Sequence, residues 1–489
     1  MNIRAVLFVL GNLLLLLAGC LVAPLAVAVI YPSDVSNGIA GVGEVWAFLI
    51  TMTVALGFGF AGRILFRRSA HDVRVREGFA VVTFSWLAMV AVGALPYLLT
   101  GVTGSLTDAY FETMSGFTTT GATIFPRVEV IPHGVQFWRC MTQWLGGMGI
   151  VVLSVALLPM LGAGGYRMLK AETPGGVAFE RERPRITDTA KQLWALYLTI
   201  SAVQVVLLRV SGMTWFDAFC HAFTTMSTGG FSPHTESIAF FDSPMIQWII
   251  IVFMFAAGVN FSLYAMLLRG QPRRVVGNHE LRLYVTIMVA CVLVGVFVLP
   301  SDAELEKHIR DVIFQVVSIG TTTGYVTADY DRWGPLMGLM LVALMFVGGC
   351  MGSTGGGMKV ARLLVFFKAL IRELHRPIFP HAVRPIRIAD KVIEPKLVAN
   401  ILAFGMIYVA TFVAGALVMA AFGYDIVTAI SASAAALGNI GPGLARVGPS
   451  QNWAHLPDVV KWVMIALMLL GRLELYSVLI LITPWAWRR

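Results

Sequence analysis

The sequence predicts an all-α integral membrane protein: four pseudo-symmetric helix–pore loop–helix repeats around a central pore, plus two extra N-terminal transmembrane helices. Three observations predict it. The chain of 489 residues is 57% hydrophobic and only 13% charged, with mean hydropathy +0.78, whereas soluble domains carry about a quarter charged residues. Apolar runs of about 20 residues, the length that crosses a bilayer, recur from end to end. A short glycine-bearing segment returns four times at a nearly constant interval. The longest polar stretches, Gly164–Thr189 and Arg372–Pro395, are too short to bury a core of their own.

The first apolar run, Ala5–Ile30, follows a single Arg4. It is too long for a signal h-region and lacks a small-x-small cleavage site before Tyr31, so it reads as a retained helix. Val45–Leu65 is the second, and residues 1–76 form this N-terminal pair. Repeats then occupy 77–187, 188–278, 279–392 and 393–489. Each opens with a full span: Phe79–Leu99, Leu193–Val210, Leu283–Leu299 and Leu397–Phe422. A half-length helix of about ten residues follows, too short to cross, with Asp108, Asp217, Asp311 or Asp425 near its start. Aspartate in a first turn suits the positive helix end. A second full span closes each repeat: Val135–Leu161, Met245–Leu268, Leu336–Phe367 and Val459–Ile482. The expected total is ten full spans.

Between half-helix and closing span lie TMSGFTTTGATIF (Thr113–Phe125), TTMSTGGFSPH (Thr224–His234), VSIGTTTGYVT (Val317–Thr327) and AAALGNIGPGL (Ala434–Leu444). Aligned on glycine they give Gly121, Gly229, Gly324 and Gly441, spaced by 108, 95 and 117 residues. Non-helical backbone at membrane depth is tolerated only where it is buried in protein or lines a water-filled path. Glycine reaches backbone angles closed to residues with a Cβ. Four such loops converging on one axis present rings of carbonyl oxygens, which replace the hydration shell of a cation. The negative C-terminal ends of the half-helices favour cations over anions, and threonine hydroxyls lie beside the carbonyls. Clusters of small residues also mark close helix packing in membranes. Four of them in register, each between paired spans, favour the pore.

Arginines and lysines cluster in alternate loops: Arg63 to Arg76, Lys170 to Arg185, Arg269 to Arg274, Lys368 to Lys396, and Arg488 with Arg489. This positive-inside bias predicts cytoplasmic termini and outward-facing glycine segments, and it accounts for the net charge of +9 without nucleic acid. Cys20, Cys140, Cys220, Cys291 and Cys350 show neither metal-ligand nor disulfide spacing. No nucleophile–base pair and no P-loop appear, so the chain is not expected to be an enzyme or to bind a cofactor.

The span Leu336–Phe367 is interrupted by six glycines, Gly348, Gly349, Gly352, Gly355, Gly356 and Gly357, a density that does not hold a straight helix. It reads either as a kink for close helix contact or as an irregular loop lining the cavity. Lys359, just past it, anchors the loop or marks the membrane boundary. Arg472 lies midway along Val459–Ile482, with Glu474 two residues on; a charge at that depth is functional by default. The two diverge by about 200° on a helix and do not pair. Arg472 either projects below the glycine segments as a tethered cation or bonds carbonyls of the broken span. Arg139 reads as snorkelling toward the outer surface, and His133, His221 and His234 as unpaired outer-side residues.

These loops, with FWRCMTQWLGGMGIVV (Phe137–Val152), AAGVNFSLYA (Ala256–Ala265), GGCMGSTGGGMKV (Gly348–Val360) and LLGRLELYSVLI (Leu469–Ile480), resemble the Trk/Ktr/HKT superfamily of potassium transporters. The whole chain is similar to its bacterial TrkH-type subunits, including the two extra N-terminal spans. The resemblance implies filter positions at Thr119, Thr120 and Gly121; Ser227, Thr228 and Gly229; Thr322, Thr323 and Gly324; and Asn439, Ile440 and Gly441. It implies that potassium is the substrate, since sodium-favouring relatives often carry serine in the first copy. It also implies that the glycine-rich loop is a mobile plug, and that the fourth copy, Asn439-Ile440-Gly441-Pro442, shares the family's asymmetry. Further implied are a homodimer in the bacterial inner membrane and a cytosolic TrkA-like ring that binds adenine nucleotides and NAD. Basic loops of this kind also suit anionic membrane lipid. The competing classes are a proton- or sodium-coupled symporter, a less selective potassium/sodium channel, and an intramembrane enzyme. Inverted repeats and midplane relays would mark the symporter, and paired catalytic residues the enzyme.

Overall fold

The computed structural model describes residues 2–32, 42–67, 75–157, 186–299, 304–382, 384–388 and 391–487; most of the polar stretch 164–189 lies outside them. The first apolar run forms Ile3–Cys20 and continues through Leu21 into Val22–Ile30. It packs against Glu44–Leu65 because both helices are small where they meet. A Cβ on Gly11 would fall 2.8 Å from the Gly59 carbonyl, and one on Gly62 2.9 Å from the Leu7 carbonyl. Without a hydrophobic force between helices in lipid, such backbone proximity supplies the attraction.

Along the chain an opening helix, a half-helix and a closing helix follow one another four times. The opening helices are Val75–Gly93 (continued by Leu95–Thr100), Ile186–Val210, His279–Val298 and Pro395–Ala421. The half-helices are Leu106–Phe117, Trp215–Met226, Leu305–Gly320 and Ile426–Gly438. Ser105, Thr214 and Asp425 cap three of them by accepting from the backbone N–H of Asp108, Asp217 and Thr428, which satisfies donors that the first turn leaves orphaned. The third departs from expectation. It is 16 residues long, begins at Leu305 without a side-chain cap, and carries Asp311 inside the helix rather than in its first turn.

Two of the closing helices are bent where straight spans were expected, and a third is interrupted at the glycine run, as expected. His133–Leu157 is continuous, but the other three break. Pro244–Ala257 meets Phe261–Leu268 at 97°, and Asp458–Arg472 meets Tyr476–Ile482 at 119°, so neither Met245–Leu268 nor Val459–Ile482 is a straight span. Gly334–Val347 is separated from Val360–His375 by the glycine-rich loop. Among the described residues, six helices are long and apolar enough to cross a membrane unaided, and eight if each bent pair is one span. The first break is made locally: Asn260 accepts from Ser262 N–H and starts a new helix. The last has no glycine or proline. It holds Glu474 and Leu475 at φ 56° and 50°, angles that cost non-glycine residues energy and persist only where surroundings enforce them.

A two-residue antiparallel pairing, Arg387–Ile388 with Lys391–Val392, is the one strand pairing among the described residues. The closing helix of each unit packs on the half-helix of the next. His133–Leu157 lies on Trp215–Met226, Pro244–Ala257 on Leu305–Gly320, and Gly334–Val347 on Ile426–Gly438. Asp458–Arg472 lies on Leu106–Phe117, which joins the fourth unit to the first. The half-helices are thereby the buried centre; Leu106–Phe117 buries nine of its 12 residues.

Candidate cation site and the loop beneath it

Each half-helix ends in the same turn. Thr119, Thr228, Thr322 and Asn439 take φ of 52°, 54°, 64° and 55°. The next residue, Thr120, Gly229, Thr323 or Ile440, donates its N–H back five positions at 2.8, 2.8, 2.8 and 2.9 Å. Then comes a glycine in the left-handed region: Gly121, Gly230, Gly324 and Gly441, at 83°, 78°, 82° and 98°. The second copy is therefore in a different register from the sequence alignment. Its turn is Thr228-Gly229-Gly230, and Ser227 lies one position before it, at the end of the half-helix. Gly229 and Gly230 are adjacent, and of the two only Gly230 takes the left-handed angle.

The four turns form a closed ring. A Cβ on Gly121 would fall 2.1 Å from the carbonyl oxygen of Gly229, on Gly230 2.0 Å from that of Thr323, on Gly324 2.0 Å from that of Ile440, and on Gly441 2.7 Å from that of Thr120. Each glycine thus abuts the middle carbonyl of the following turn, and the fourth returns to the first. No side chain fits at any of these positions. Thr119, Thr120, Thr228, Thr322, Thr323, Asn439 and Ile440 are all buried around the ring.

Neighbouring side chains fix the turns. Gln143 donates from Nε2 to the Gly229 carbonyl at 2.7 Å and accepts from Phe231 N–H at 3.1 Å. The Tyr325 hydroxyl, from the third turn, bonds the Thr224 hydroxyl and the His221 carbonyl of the second half-helix. Asn439, off-pattern in sequence, donates from Nδ2 to Thr120 Oγ1 at 3.0 Å and to the Met468 carbonyl at 2.9 Å. The threonine hydroxyls serve mainly within the protein: Thr120 pairs with Thr118 at 2.8 Å, and Thr323 with Thr321 at 2.7 Å. On the far side of the ring from the half-helices lies a cavity of about 100 Å³, reached by Gly121, Gly230, Gly324 and Gly441 and by Arg139.

On the half-helix side sits the loop 348–359. Its Gly357 N–H bonds the Gly438 carbonyl at 3.0 Å, its Gly356 N–H the Thr322 hydroxyl at 2.6 Å, and its Thr354 hydroxyl the Met226 carbonyl at 3.0 Å. The loop touches the ends of three half-helices at once. Cys350 N–H bonds the Gly258 carbonyl at 2.8 Å, and Phe261 N–H the Gly352 carbonyl at 3.1 Å. The break in the second unit's closing helix is the socket for the loop's first half. Lys359, at φ 72°, donates from Nζ to the Gly355 carbonyl, which anchors the loop on itself.

Arg472 is 2% exposed. It donates from Nη1 to the Thr354 carbonyl at 2.8 Å and from Nη2 to the Gly146 carbonyl at 2.9 Å. Carbonyl bonding, one of the two roles open from sequence, is thus present. Glu474 pairs instead with Arg362 at 2.6 Å, in accord with the expected divergence of the two charges.

Three expectations about the outer charges are corrected. Arg139 does not snorkel. It is buried against Glu112 at 2.6 Å, bonds the Ser232 carbonyl at 2.9 Å, and lies 3.7 Å from the centre of the Phe231 ring. Glu112 also accepts from Ile124 N–H at 2.9 Å and Thr123 Oγ1 at 3.0 Å, so the pair holds the strands leaving the first and second turns. His234 pairs with Asp217 at 3.1 Å. His221 bonds the Asp217 carbonyl at 2.8 Å and Ser232 Oγ at 3.1 Å. Buried Lys461, unremarked in the sequence, meets Asp108 at 2.6 Å across the seam between fourth and first units.

The family model described as cation transport protein, TrkH, matches residues 46–484. The chain is 39% identical over 494 residues to the Trk system potassium uptake protein TrkH of Salmonella typhimurium, covering 100% of both. It is 30% identical to TrkG of Escherichia coli, covering 100% of this chain and 99% of the relative. Among solved structures, the potassium transporter TrkH from Vibrio parahaemolyticus superposes with TM-score 0.90 at 37% identity, with 100% of each chain covered.

Proposed function

This chain belongs to the TrkH family of cation transport proteins, a multi-pass membrane protein and not an enzyme, and we propose that it takes up potassium through a gated, channel-like filter. The observation that carries the reading is the closed ring of four glycine turns, each glycine against the next turn's carbonyl. A potassium ion sheds its water most cheaply where carbonyl oxygens replace it. The C-terminal ends of the half-helices, which lead directly into the turns, add partial negative charge. Filter residues are Thr119, Thr120 and Gly121; Thr228, Gly229 and Gly230; Thr322, Thr323 and Gly324; and Asn439, Ile440 and Gly441.

Below the filter, the loop from Gly348 to Lys359 and the Arg472 guanidinium obstruct the path in this closed arrangement. Arg472 repels arriving cations while its bonds to carbonyls hold the loop in place. Both termini face the cytoplasm of a bacterial inner membrane, as the basic loops favour. The protein works as a homodimer whose cytoplasmic face receives a TrkA-like ring, where nucleotide binding is read; basic loops also meet anionic lipid.

Complementation tests the assignment. Cells that cannot grow on low potassium should grow when they express this chain. Liposomes containing it should take up rubidium tracer at the same rate with or without an imposed proton gradient. Dependence on the gradient would replace the channel-like reading with a coupled symporter.

A further inference from the structure

Glu280 stands in the first turn of His279–Val298, just past its cap Asn278, and is 6% exposed. An acid buried in a membrane helix is costly unless partnered. Its partners are unusual in their spacing. One oxygen, Oε1, accepts from Met351 N–H at 2.6 Å and from Ala361 N–H at 3.1 Å. Met351 lies near the entrance of the glycine-rich loop, and Ala361 in the first turn of the helix that follows its exit. A single carboxylate oxygen therefore joins the two ends of the loop. The charges of Lys359 and Arg362 also reach it.

The exit is under strain. Lys359 holds φ 72°, a left-handed angle that a residue with a Cβ keeps only when its surroundings impose it. Two residues on, the Ala361 bond to Glu280 fixes where the exit helix begins. Three residues on, Arg362 is held by Glu474 at 2.6 Å and lies 4.0 Å from the Phe404 ring centre. The anionic group also sits at the positive end of Val360–His375. Val360 N–H also bonds the Gly349 carbonyl at 3.1 Å, so Glu280 is the side-chain tie added to a backbone tie across the mouth of the loop.

We propose that Glu280 is a positioning residue that latches the glycine-rich loop under the filter, so that opening requires its bonds to Met351 and Ala361 to part. This rests on the loop being the gate. The latch belongs to the third unit's opening helix, His279–Val298.

The test compares rubidium tracer uptake into liposomes for four full-chain proteins: unaltered, Glu280→Leu, Glu280→Gln, and a deletion of residues 352–357. Leucine has similar bulk and no acceptor. Glutamine keeps an amide oxygen able to take both bonds. The expected result is a basal flux raised about tenfold by Glu280→Leu, a shift of about 1.4 kcal/mol toward open. Glu280→Gln should stay within about twofold of the unaltered protein, and potassium should still outcompete sodium in both, because the filter is untouched. If Glu280→Leu does not reconstitute, Glu280→Asp, too short to reach both amides, should leak in its place. Unchanged flux in Glu280→Leu and Glu280→Asp beside a leaking deletion overturns the latch and leaves the gate standing. Unchanged flux in the deletion overturns both. Loss of potassium preference together with leak would make Glu280 a mere structural residue and likewise overturn the latch.

Discussion

Arg472 donates from Nη1 to the carbonyl oxygen of Thr354 at 2.8 Å, which ties the fourth unit's closing helix to the loop carried by the third. Its other amino group reaches the Gly146 carbonyl of the first unit. One buried cation thus spans three of the four units directly under the ring. Arg472→Ala removes both the positive charge and the tie, and basal rubidium flux should rise at least about tenfold, or about 1.4 kcal/mol. Arg472→Lys keeps the charge but not the fork of donors, and should fall between. A folded Arg472→Ala protein with lower flux would leave only the bonding role.

The register of the second turn makes a separate prediction. Gly230 has φ 78°, and a Cβ there would lie 2.0 Å from the Thr323 carbonyl; neither can be relieved without moving backbone. A Cβ on Gly229 meets the side chain of Gln143 at 2.3 Å, which can shift. Gly230→Ala should therefore reduce potassium selectivity more than Gly229→Ala, as read by sodium competition against rubidium uptake.

Removal of one partner from the buried Arg139–Glu112 pair leaves an uncompensated charge, a loss of about 3–5 kcal/mol. Arg139→Met should lower the detergent melting temperature sharply. Arg139→Met with Glu112→Gln should recover part of that loss, because the remaining amide needs no counter-charge. Equal melting for the single and double variants would show that the pair is not coupled.

Glu129, on the loop after the first turn, accepts from Thr235 N–H at 2.7 Å and from its hydroxyl at 2.5 Å. Partial burial alone would raise its pKa, but the Thr235 bonds outweigh this and hold it below the usual carboxylate value. A lowered folded-state value stabilises above the unfolded pKa, about 4.3, and the gain is lost as pH falls through the folded value. The melting difference between unaltered protein and Glu129→Gln should be full at pH 7 and fade below about pH 4. A difference that persists into acid would remove the carboxylate as its source.

The four-unit plan was legible because its turns need glycine at a left-handed angle, and the sequence keeps glycine there in every copy. The second copy misled for the same reason: two adjacent glycines satisfy the pattern equally, and only φ distinguishes Gly230. The break at Gly258 and Asn260 carried a weak signal, a glycine followed by a capping residue. The break at Glu474 and Leu475 has no glycine or proline of its own, and the partner of Glu474, Arg362, lies 112 positions away. Arg139 looked like a membrane-edge arginine because its partner Glu112 lies 27 positions away on another helix. Glu280 was hidden by its ordinariness, because an acid in a first turn is what any helix favours. Its partners are backbone amides, which no sequence pattern marks.

Selection of potassium by the ring of four glycine turns, as proposed above, is open to direct measurement. Its most direct measure is the concentration of potassium and of sodium needed to suppress rubidium tracer uptake into liposomes, with Gly121 intact and with Gly121→Ser. A serine Cβ would lie 2.1 Å from the Gly229 carbonyl, so the ring must widen or distort. With Gly121, sodium should be needed at about tenfold or more the potassium concentration, or about 1.4 kcal/mol of discrimination, and Gly121→Ser should narrow that ratio. Equal suppression by the two ions in the unaltered protein, or a ratio that Gly121→Ser leaves unchanged, would rule out the ring as the selective element.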